Sequence, residues 1–170
     1  MTARDSMVLE FSPTIVSLIL AGKVGSNIAS EIGTMRVSEQ IDALEIMGIN
    51  SSAYLILPKI LAAVFINPFL IIMSMFLGMF GGWALGMFAG VVSSHEYLYG
   101  IQYDFRSFNV TYALVKTVVF AFIITSVSAY HGYYTKGGAL EVGQSSTKAV
   151  VYSNILILLF NFVLTQLLLA

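Results

Sequence analysis

Residues 60–94 read ILAAVFINPFLIIMSMFLGMFGGWALGMFAGVVSS and contain no Asp, Glu, Lys or Arg. A helix needs about 20 mostly apolar residues to cross the hydrocarbon core of a bilayer. Lipid offers no hydrogen-bond partners to the backbone, so a run this long and this apolar predicts a membrane-spanning α-helix. The run exceeds one crossing and contains Pro68, which together predict a tilted or kinked helix.

Two further charge-free runs, 117–135 and 149–170, are long enough for one crossing each. A fourth apolar stretch has Glu10 and Lys23 near its ends. We therefore predict an all-α integral membrane protein, a single domain over 1–170, with about four membrane-embedded helices. The predicted spans are 8–30, 55–92, 109–131 and 148–170.

The composition supports this class and excludes several others. Of the 170 residues 58% are hydrophobic and 10% charged, and the mean hydropathy is +0.86, whereas soluble domains are roughly half apolar and about a quarter charged. The net charge of −1 argues against a nucleic-acid partner, because neutralising phosphates needs an excess of Lys and Arg. The chain has no cysteine, no phosphate-binding P-loop and no nucleophile elbow. Nothing in the sequence indicates an enzyme or a metal site.

Basic residues suggest an orientation. Five of them flank the segments 31–54 and 132–147 and three lie toward the other side, namely Lys23, Arg36, Lys59, Lys136 and Lys148 against Arg4, Arg106 and Lys116. The positive-inside rule then places 31–54 and the loop 132–147 in the cytoplasm. On the outer side, 93–108 is predicted to be an interfacial loop or short helix, because it is rich in aromatic rings that favour the membrane–water boundary. Its rings are Tyr97, Tyr99, Tyr103, Phe105 and Phe108.

An acidic stretch, SEQIDALEIMG at 38–48, interrupts the apolar sequence. Ser38 can cap a helix, Gly48 can end it, and Asn50 with Ser51 can begin the next one. The helical repeat places three acids on one arc, Glu39, Asp42 and Glu45, and three apolar residues opposite, Ile41, Leu44 and Met47. So short a helix needs to dock onto something. Either its apolar side lies on the protein's own spans and the acids are solvated, or it docks into a groove of a soluble partner.

Glycine recurs every fourth residue within the longest apolar run, at Gly78, Gly82, Gly86 and Gly90. In a helix this spacing places all four glycines along one face, where a second helix can approach closely. We therefore predict that these glycines form a helix-packing surface.

The segment 21–62 carries a family resemblance. The motif E-Q-x-D-A-L is present as Glu39-Gln40-Ile41-Asp42-Ala43-Leu44, preceded by Ser30-Glu31-Ile32-Gly33-Thr34-Met35 and followed by Pro58-Lys59. With these motifs the chain resembles the MlaE (YrbE-like) permease family of ABC transporters, the membrane subunits of lipid-trafficking systems that work with MCE-domain proteins. The stretch Glu10–Pro13 is similar to the family's E-L-G-P, and 116–165 looks like its last two spans.

The resemblance implies a permease subunit, without catalysis of its own, in a bacterial inner membrane. It would move phospholipid or another hydrophobic lipid between the membrane and an MCE-domain protein on the outer side, as a homodimer. The helix at 38–48 would be the coupling helix, with Glu39 to Glu45 docking into a cytoplasmic ATPase. That ATPase would hold ATP and Mg²⁺, and this chain would bind no cofactor. Glu10, Phe11 and Pro13 would line the lipid pathway.

Two alternatives remain open at this point. The family's amphipathic N-terminal helix and first span have no counterpart in the sequence, so the chain could be a scaffold or assembly fragment that keeps the docking helix without transporting lipid. A membrane enzyme using Glu10 or His131 is the other alternative, and it lacks a paired acid and base.

Overall fold

The computed structural model describes residues 2–90, 93–103 and 107–169, and every regular element in that part is a helix. The first, α1, is continuous and consists of Thr2–Ser6, Met7–Ile15, Val16–Leu20, Ala21–Gly25 and Ser26–Val37. It is followed by α2 (Gln40–Ile46), α3 (Ser51–Phe88), α4 (Ser94–Gln102), α5 (Ser107–Tyr133) and α6 (Ala139–Leu169). Within the described residues four helices, α1, α3, α5 and α6, are long and apolar enough to cross a membrane. The predicted fold class, an all-α membrane protein, is confirmed.

The helices extend beyond the predicted spans. The first span was placed at 8–30, whereas α1 continues to Val37, and the last was placed at 148–170, whereas α6 begins at Ala139. As a result, the predicted loop 132–147 shrinks to a short turn. Polar residues such as Gln144 and Thr147 are compatible with a helix outside the lipid, so an absence of charge marks the lipid-embedded part of a helix and not its ends.

The predicted outer loop 93–108 contains the helix α4. Ser93 caps it by accepting a hydrogen bond from the backbone N–H of Glu96, and the Glu96 carboxylate accepts one from the backbone N–H of Ser93. Tyr99 and Tyr103 are exposed, as an interfacial position requires. Phe105 and Arg106 lie outside the described residues.

The N-terminal part of α1 has unusually wide turns. Its segment Met7–Ile15 is π-helical and contains Pro13, which cannot donate a backbone hydrogen bond. A second wide stretch, Ala21–Gly25, follows one α-helical turn later. Such π-turns inside α-helices are rare and occur often at functional sites. They also determine which side chains of α1 turn toward the bundle.

Helix α5 is the centre of the bundle. It packs against α1, α3 and α6, and its side chains Tyr112, Lys116, Phe120 and Ile124 are all fully buried. By contrast, α3 exposes large apolar residues along its length, including Phe65, Phe69 and Phe76. An outer surface this apolar suits lipid rather than water.

Helices α1 and α5 approach each other closely. Gly25, Ala29 and Gly33 recur every fourth residue of α1 and form a small-residue face of the kind that lets membrane helices approach. A Cβ atom added to Gly132 of α5 would lie 2.7 Å from the carbonyl oxygen of Ala29. Gly25 faces Ser128 of α5 with similarly little room. The sequence reasoning missed this face, although the four-residue spacing within GSNIASEIG was available to find it.

We expect Gly132→Ala to lower the free energy of unfolding by about 1–3 kcal/mol, the usual cost of overpacking, because the added methyl group would meet backbone that cannot move aside. The matched control is Gly143→Ala on α6, where no atom of the described residues lies within 4 Å of an added Cβ. Thermal unfolding of both variants in detergent is the measurement. Equal melting temperatures for the two would show that the α1–α5 contact tolerates a methyl group.

The predicted glycine surface on α3 proves to be two separate contacts. Gly78 faces the end of the Met7 side chain, and Gly82 faces the hydroxyl of Tyr97 in α4. That hydroxyl donates a hydrogen bond of 2.8 Å to the carbonyl of Met79, the residue after Gly78. Gly90 does not take part, because it follows the end of α3 with a φ of +66°, a conformation that favours glycine. Gly86, which lies between Gly82 and Gly90 in the sequence, is half-buried.

Gly82→Leu should loosen α4, because the new side chain would displace Tyr97 and break its hydrogen bond, at a cost of about 1–2 kcal/mol. Gly81→Leu is the matched control, since a Cβ at Gly81 meets nothing within 4 Å among the described residues. Amide hydrogen exchange in α4 measures the effect. Unchanged exchange in the Gly82 variant would mean that Tyr97 does not hold α4 in place.

Candidate functional site

An ion pair lies inside the bundle, between α1 and α5. Lys116 Nζ is 2.9 Å from Glu10 Oε1, and the side chain of Lys116 is 0% exposed while that of Glu10 is 41% exposed. The sequence reasoning counted Lys116 with the basic residues toward the outer side, and the structure places it more than two turns inside α5. Ionisable groups at such positions are costly and usually functional.

Four polar side chains complete a cluster around Glu10. Asn161 Nδ2 donates to Glu10 Oε2 at 3.2 Å, and the hydroxyl of Thr14 lies 3.2 Å from the same oxygen. Thr165 Oγ1 lies 3.4 Å from Glu10 Oε1 and 2.9 Å from the hydroxyl of Tyr112. These residues come from α1, α5 and α6, so the cluster joins three spanning helices. The sequence reasoning identified only Glu10 among them, because single polar residues within apolar runs do not show which of them meet.

The cluster stabilises the buried charge of Lys116. Its ammonium group has Glu10 as counter-charge and lies 4.8 Å from the centre of the Tyr112 ring, a distance at which the face of the ring attracts a cation. The backbone carbonyl of Leu9 is 3.4 Å away and accepts a further hydrogen bond. Full burial of a lysine without such partners would cost several kcal/mol.

A ligand could reach the polar cluster from the solvent-exposed side of Glu10, which we call its open side. Phe11, the next residue, is 52% exposed. Pro13 was predicted to line a lipid pathway beside these two residues, but the structure buries it completely inside the bundle. Pro13 therefore determines the shape of α1, and Glu10 and Phe11 form the accessible surface.

The second candidate region is α2, which follows the C-terminal end of α1. The helix comprises Gln40–Ile46 and not 38–48 as predicted. Ser38 does not cap it, because its hydroxyl donates back to the carbonyl of Thr34 at 2.8 Å. Glu39 precedes the helix with a φ of +61°, a left-handed conformation. The sharp turn from α1 into α2 occurs at this residue. Asn50 caps α3 by accepting a hydrogen bond from the N–H of Ala53.

Two of the three acids of α2 bind the protein itself. Asp42 Oδ1 lies 2.8 Å from Arg36 Nη1. Glu45 Oε1 accepts hydrogen bonds of 2.9 Å each from the hydroxyls of Tyr133 and Ser51. The Tyr133 hydroxyl above all, and then that of Ser51, lower the pKa of Glu45, which keeps this carboxylate ionised at neutral pH. Asp42 and Glu45 therefore contact the protein's own residues and are still accessible to solvent. Docking of the acids onto a partner stays a prediction.

The apolar residues of α2 divide into two groups. Ile41 is fully buried against α1, α3 and α5 and Leu44 is half-buried, as predicted for the side that rests on the spans. Met47 was predicted to belong with them but is 65% exposed, and its neighbour Ile46 is 87% exposed. We call Ile46 and Met47 the apolar tip of α2. Met47 is the C-cap residue, where α2 ends, so it does not continue the buried face of Ile41 and Leu44.

A further ion pair stabilises the region beside α2. Lys59 Nζ lies 2.7 Å from Glu31 Oε2 and so links α3 to α1. Both residues belong to motifs quoted above, but the sequence did not show that they meet. As a largely solvent-accessible pair it contributes about 0–1 kcal/mol to the free energy of unfolding. It joins α1 and α3, the two helices that precede and follow α2.

Comparison with known proteins supports the family resemblance that the motifs showed. The family model described as Permease MlaE matches residues 2–167. The chain is 42% identical over 162 residues to a probable ABC transporter permease protein of Rickettsia bellii, covering 95% of this chain and 62% of the relative. It is 38% identical to the chloroplastic protein TRIGALACTOSYLDIACYLGLYCEROL 1 of Arabidopsis thaliana, covering 92% of this chain and 45% of that one. It is 29% identical to the intermembrane phospholipid transport system permease protein MlaE of Haemophilus influenzae, covering 94% and 62%. The chain thus spans less than two thirds of the length of the curated relatives it matches.

Proposed function

Because the chain belongs to the MlaE permease family, we propose that it acts as the membrane-spanning permease subunit of an ABC transporter for phospholipid or a related hydrophobic lipid. It is a multi-pass protein of the inner membrane. The observation that carries the proposal is that one helix, α1, connects the polar cluster at Glu10 to α2. The polar cluster at Glu10 and the helix α2 are joined by α1, and about 40 Å separates them at 1.5 Å per residue.

On this proposal α2 is the coupling helix. A cleft in a cytoplasmic ATPase receives its apolar tip, and Glu39 beside the tip meets basic residues of that partner. ATP and Mg²⁺ bind to the ATPase, and the permease responds by moving its helices. The burial of Ile41 and the contacts of Asp42 and Glu45 support this role, because they hold a helix of under two turns rigidly enough to transmit a force.

The lipid route passes the open side of Glu10 on the opposite face of the membrane. Two copies of the chain would place two such sites around a common cavity, from which an MCE-domain protein on the outer side exchanges lipid. The apolar surfaces of α3 and α6 support an assembly embedded in lipid. The order of helices supports the orientation, because the α5–α6 turn and α2 lie at one end of the bundle and Glu10 at the other.

A lipid-transfer assay tests the route. We expect Phe11→Ala to slow transfer severalfold in vesicles that contain the permease, its ATPase and the MCE-domain protein, because Phe11 is the exposed apolar residue next to Glu10. The matched control is Phe69→Ala on α3, which removes an exposed ring elsewhere. Copurification with the ATPase should be normal for both. Transfer at the unmodified rate in the Phe11 variant would remove this surface from the route.

The same assay separates transport from the alternative of a scaffold that retains the docking helix. A transporting subunit requires ATP-dependent lipid transfer that stops when the permease is left out. A scaffold would bind the ATPase equally well and give no transfer.

A further inference from the structure

We propose that the bundle carries a second lipid site, for one anionic phospholipid, at the end where α2 lies. The headgroup phosphate would bind Lys136 and Lys148, and an acyl chain would lie in an apolar groove along α6. This site is separate from the route past Glu10. It rests on the proposed function only for the assignment of this end to the cytoplasm.

The polar half of the site is a pocket of about 230 Å³ between the end of α5 and the start of α6. Lys136 and Lys148 line it together with His131 and Tyr134. Within the described part of the chain neither lysine forms an ion pair. One carboxylate, Glu141, also lines the pocket, and its Oε2 already accepts a 2.8 Å hydrogen bond from the backbone N–H of Gly138. Two lysines against one carboxylate leave the pocket positively charged.

The apolar half is a wide, open groove of about 760 Å³ along one exposed face of α6, and all the residues that line it belong to that helix. Gly143, Val151 and Ile155 line it together with Leu140 and Tyr152. Lys148 and Gln144 line both the groove and the polar pocket, so the two are continuous. A positively charged pocket that continues into an open apolar groove matches a molecule with an anionic head and a hydrocarbon tail.

The depth of the site agrees with this assignment. Lys148 is the last charged residue before the charge-free run 149–170, which places it where the headgroups begin. Basic residues between spanning helices on the cytoplasmic side are a known type of site for anionic headgroups, and each basic residue near the surface contributes about 1 kcal/mol. The groove then continues from Lys148 toward the bilayer centre, as an acyl chain does.

A second copy of the chain fits the groove less well. The apolar surface of α3 lies within the run 60–94, which contains no carboxylate. A copy seated by that surface would leave Lys136 and Lys148 without a counter-charge. The phosphate of a lipid supplies that charge and its tail covers the groove.

Thermal unfolding of the full chain in a neutral detergent tests the proposal. We expect added phosphatidylglycerol to raise the melting temperature, and phosphatidylcholine or inorganic phosphate at equal concentration to leave it unchanged. Lys136→Gln and Lys148→Gln should each weaken the apparent lipid affinity about fivefold, and the double variant roughly 25-fold. Neither lysine donates a hydrogen bond within the described residues, so both variants should fold. Lys59→Gln is the matched control, because that lysine lies at the same end and is already paired with Glu31.

A second variant probes the groove itself. Gly143→Leu adds a side chain where no described atom lies within 4 Å of a Cβ, so it should fill the groove without strain and abolish the effect of phosphatidylglycerol. Equal stabilisation by phosphatidylcholine, or full stabilisation by inorganic phosphate alone, would overturn the proposal. So would an equal loss in Lys59→Gln. A fall in oligomer mass in Gly143→Leu would instead identify the groove as a chain–chain interface. Copurification with the ATPase should be normal in all variants, so this site and the coupling role of α2 fail independently.

Discussion

Glu10→Lys should lower the yield of folded protein severalfold. The variant places a second ammonium group within about 3 Å of Lys116, whose side chain is completely buried. Removing the partner of a buried charge costs about 3–5 kcal/mol, and the partial exposure of Glu10 puts the loss near the lower end of that range. Many proteins have only 5–15 kcal/mol of stability in total. Yield and the monodisperse fraction after detergent extraction measure the effect.

Two further variants give this prediction its control. Glu39→Lys makes the same charge reversal at an exposed residue and should leave the yield unchanged. Glu10→Gln combined with Lys116→Met removes both charges and should recover much of the folded protein, because replacing a buried ion pair by neutral groups is often nearly neutral in stability. Wild-type yield of Glu10→Lys would mean that the ion pair does not contribute to folding. Because Glu10→Lys is expected to lower the amount of folded protein, slower lipid transfer in this variant would not by itself show that Glu10 lies on the lipid route.

Ile46→Asp with Met47→Asp should abolish copurification of the ATPase. Both side chains point away from the bundle, so the double variant should fold normally. Buried central residues of an interface cost about 2 kcal/mol or more each when removed, and a carboxylate in an apolar cleft costs more. Two such losses exceed a thousandfold in affinity. Copurification after detergent extraction is the measurement.

The control for this prediction separates the tip from the acids. Asp42→Asn breaks only the exposed pair with Arg36, worth about 0–1 kcal/mol, and should leave ATPase binding within a few fold. Glu39→Gln tests the remaining free acid in the same way. Normal binding by the Asp double variant together with lost binding by Glu39→Gln would show that the partner recognises charge and not the apolar tip.

The sequence was sufficient for the class of fold because the membrane imposes it. A run such as 60–94 has no stable form in lipid except a helix, and Gly48 and Asn50 correctly marked where α2 ends and α3 begins. The helix ends were less predictable, since α6 continues as a helix far outside its charge-free run. Polar residues beyond the lipid are compatible with both helix and loop, and contacts with neighbours decide between them.

The site was less predictable because it depends on which residues meet. Glu10 was identified from its motif, but its partner Lys116 lies 106 positions away, and a lysine at the edge of an apolar run looks like a flanking charge. In α2 the helical repeat placed Asp42 and Glu45 on one arc, yet it could not show that Arg36 and Tyr133 contact these two acids. Helix α2 begins after a left-handed Glu39, and this turn fixes the direction of every side chain that follows.

The uninterrupted course of α1 makes it a mechanical lever. Only Ser38 and Glu39 separate its end from α2, and the small residues along its face press it against α5. On the proposed function, a displacement of α2 would be carried along this one helix, whose wide turns lie at Ala21–Gly25 and around Pro13. The wide turns around Pro13 belong to the same segment as Glu10, so a bend of α1 there would move the Glu10 carboxylate. On the proposed function, work done by an ATPase at one membrane surface would reach the other as a change in the contact between Glu10 and Lys116.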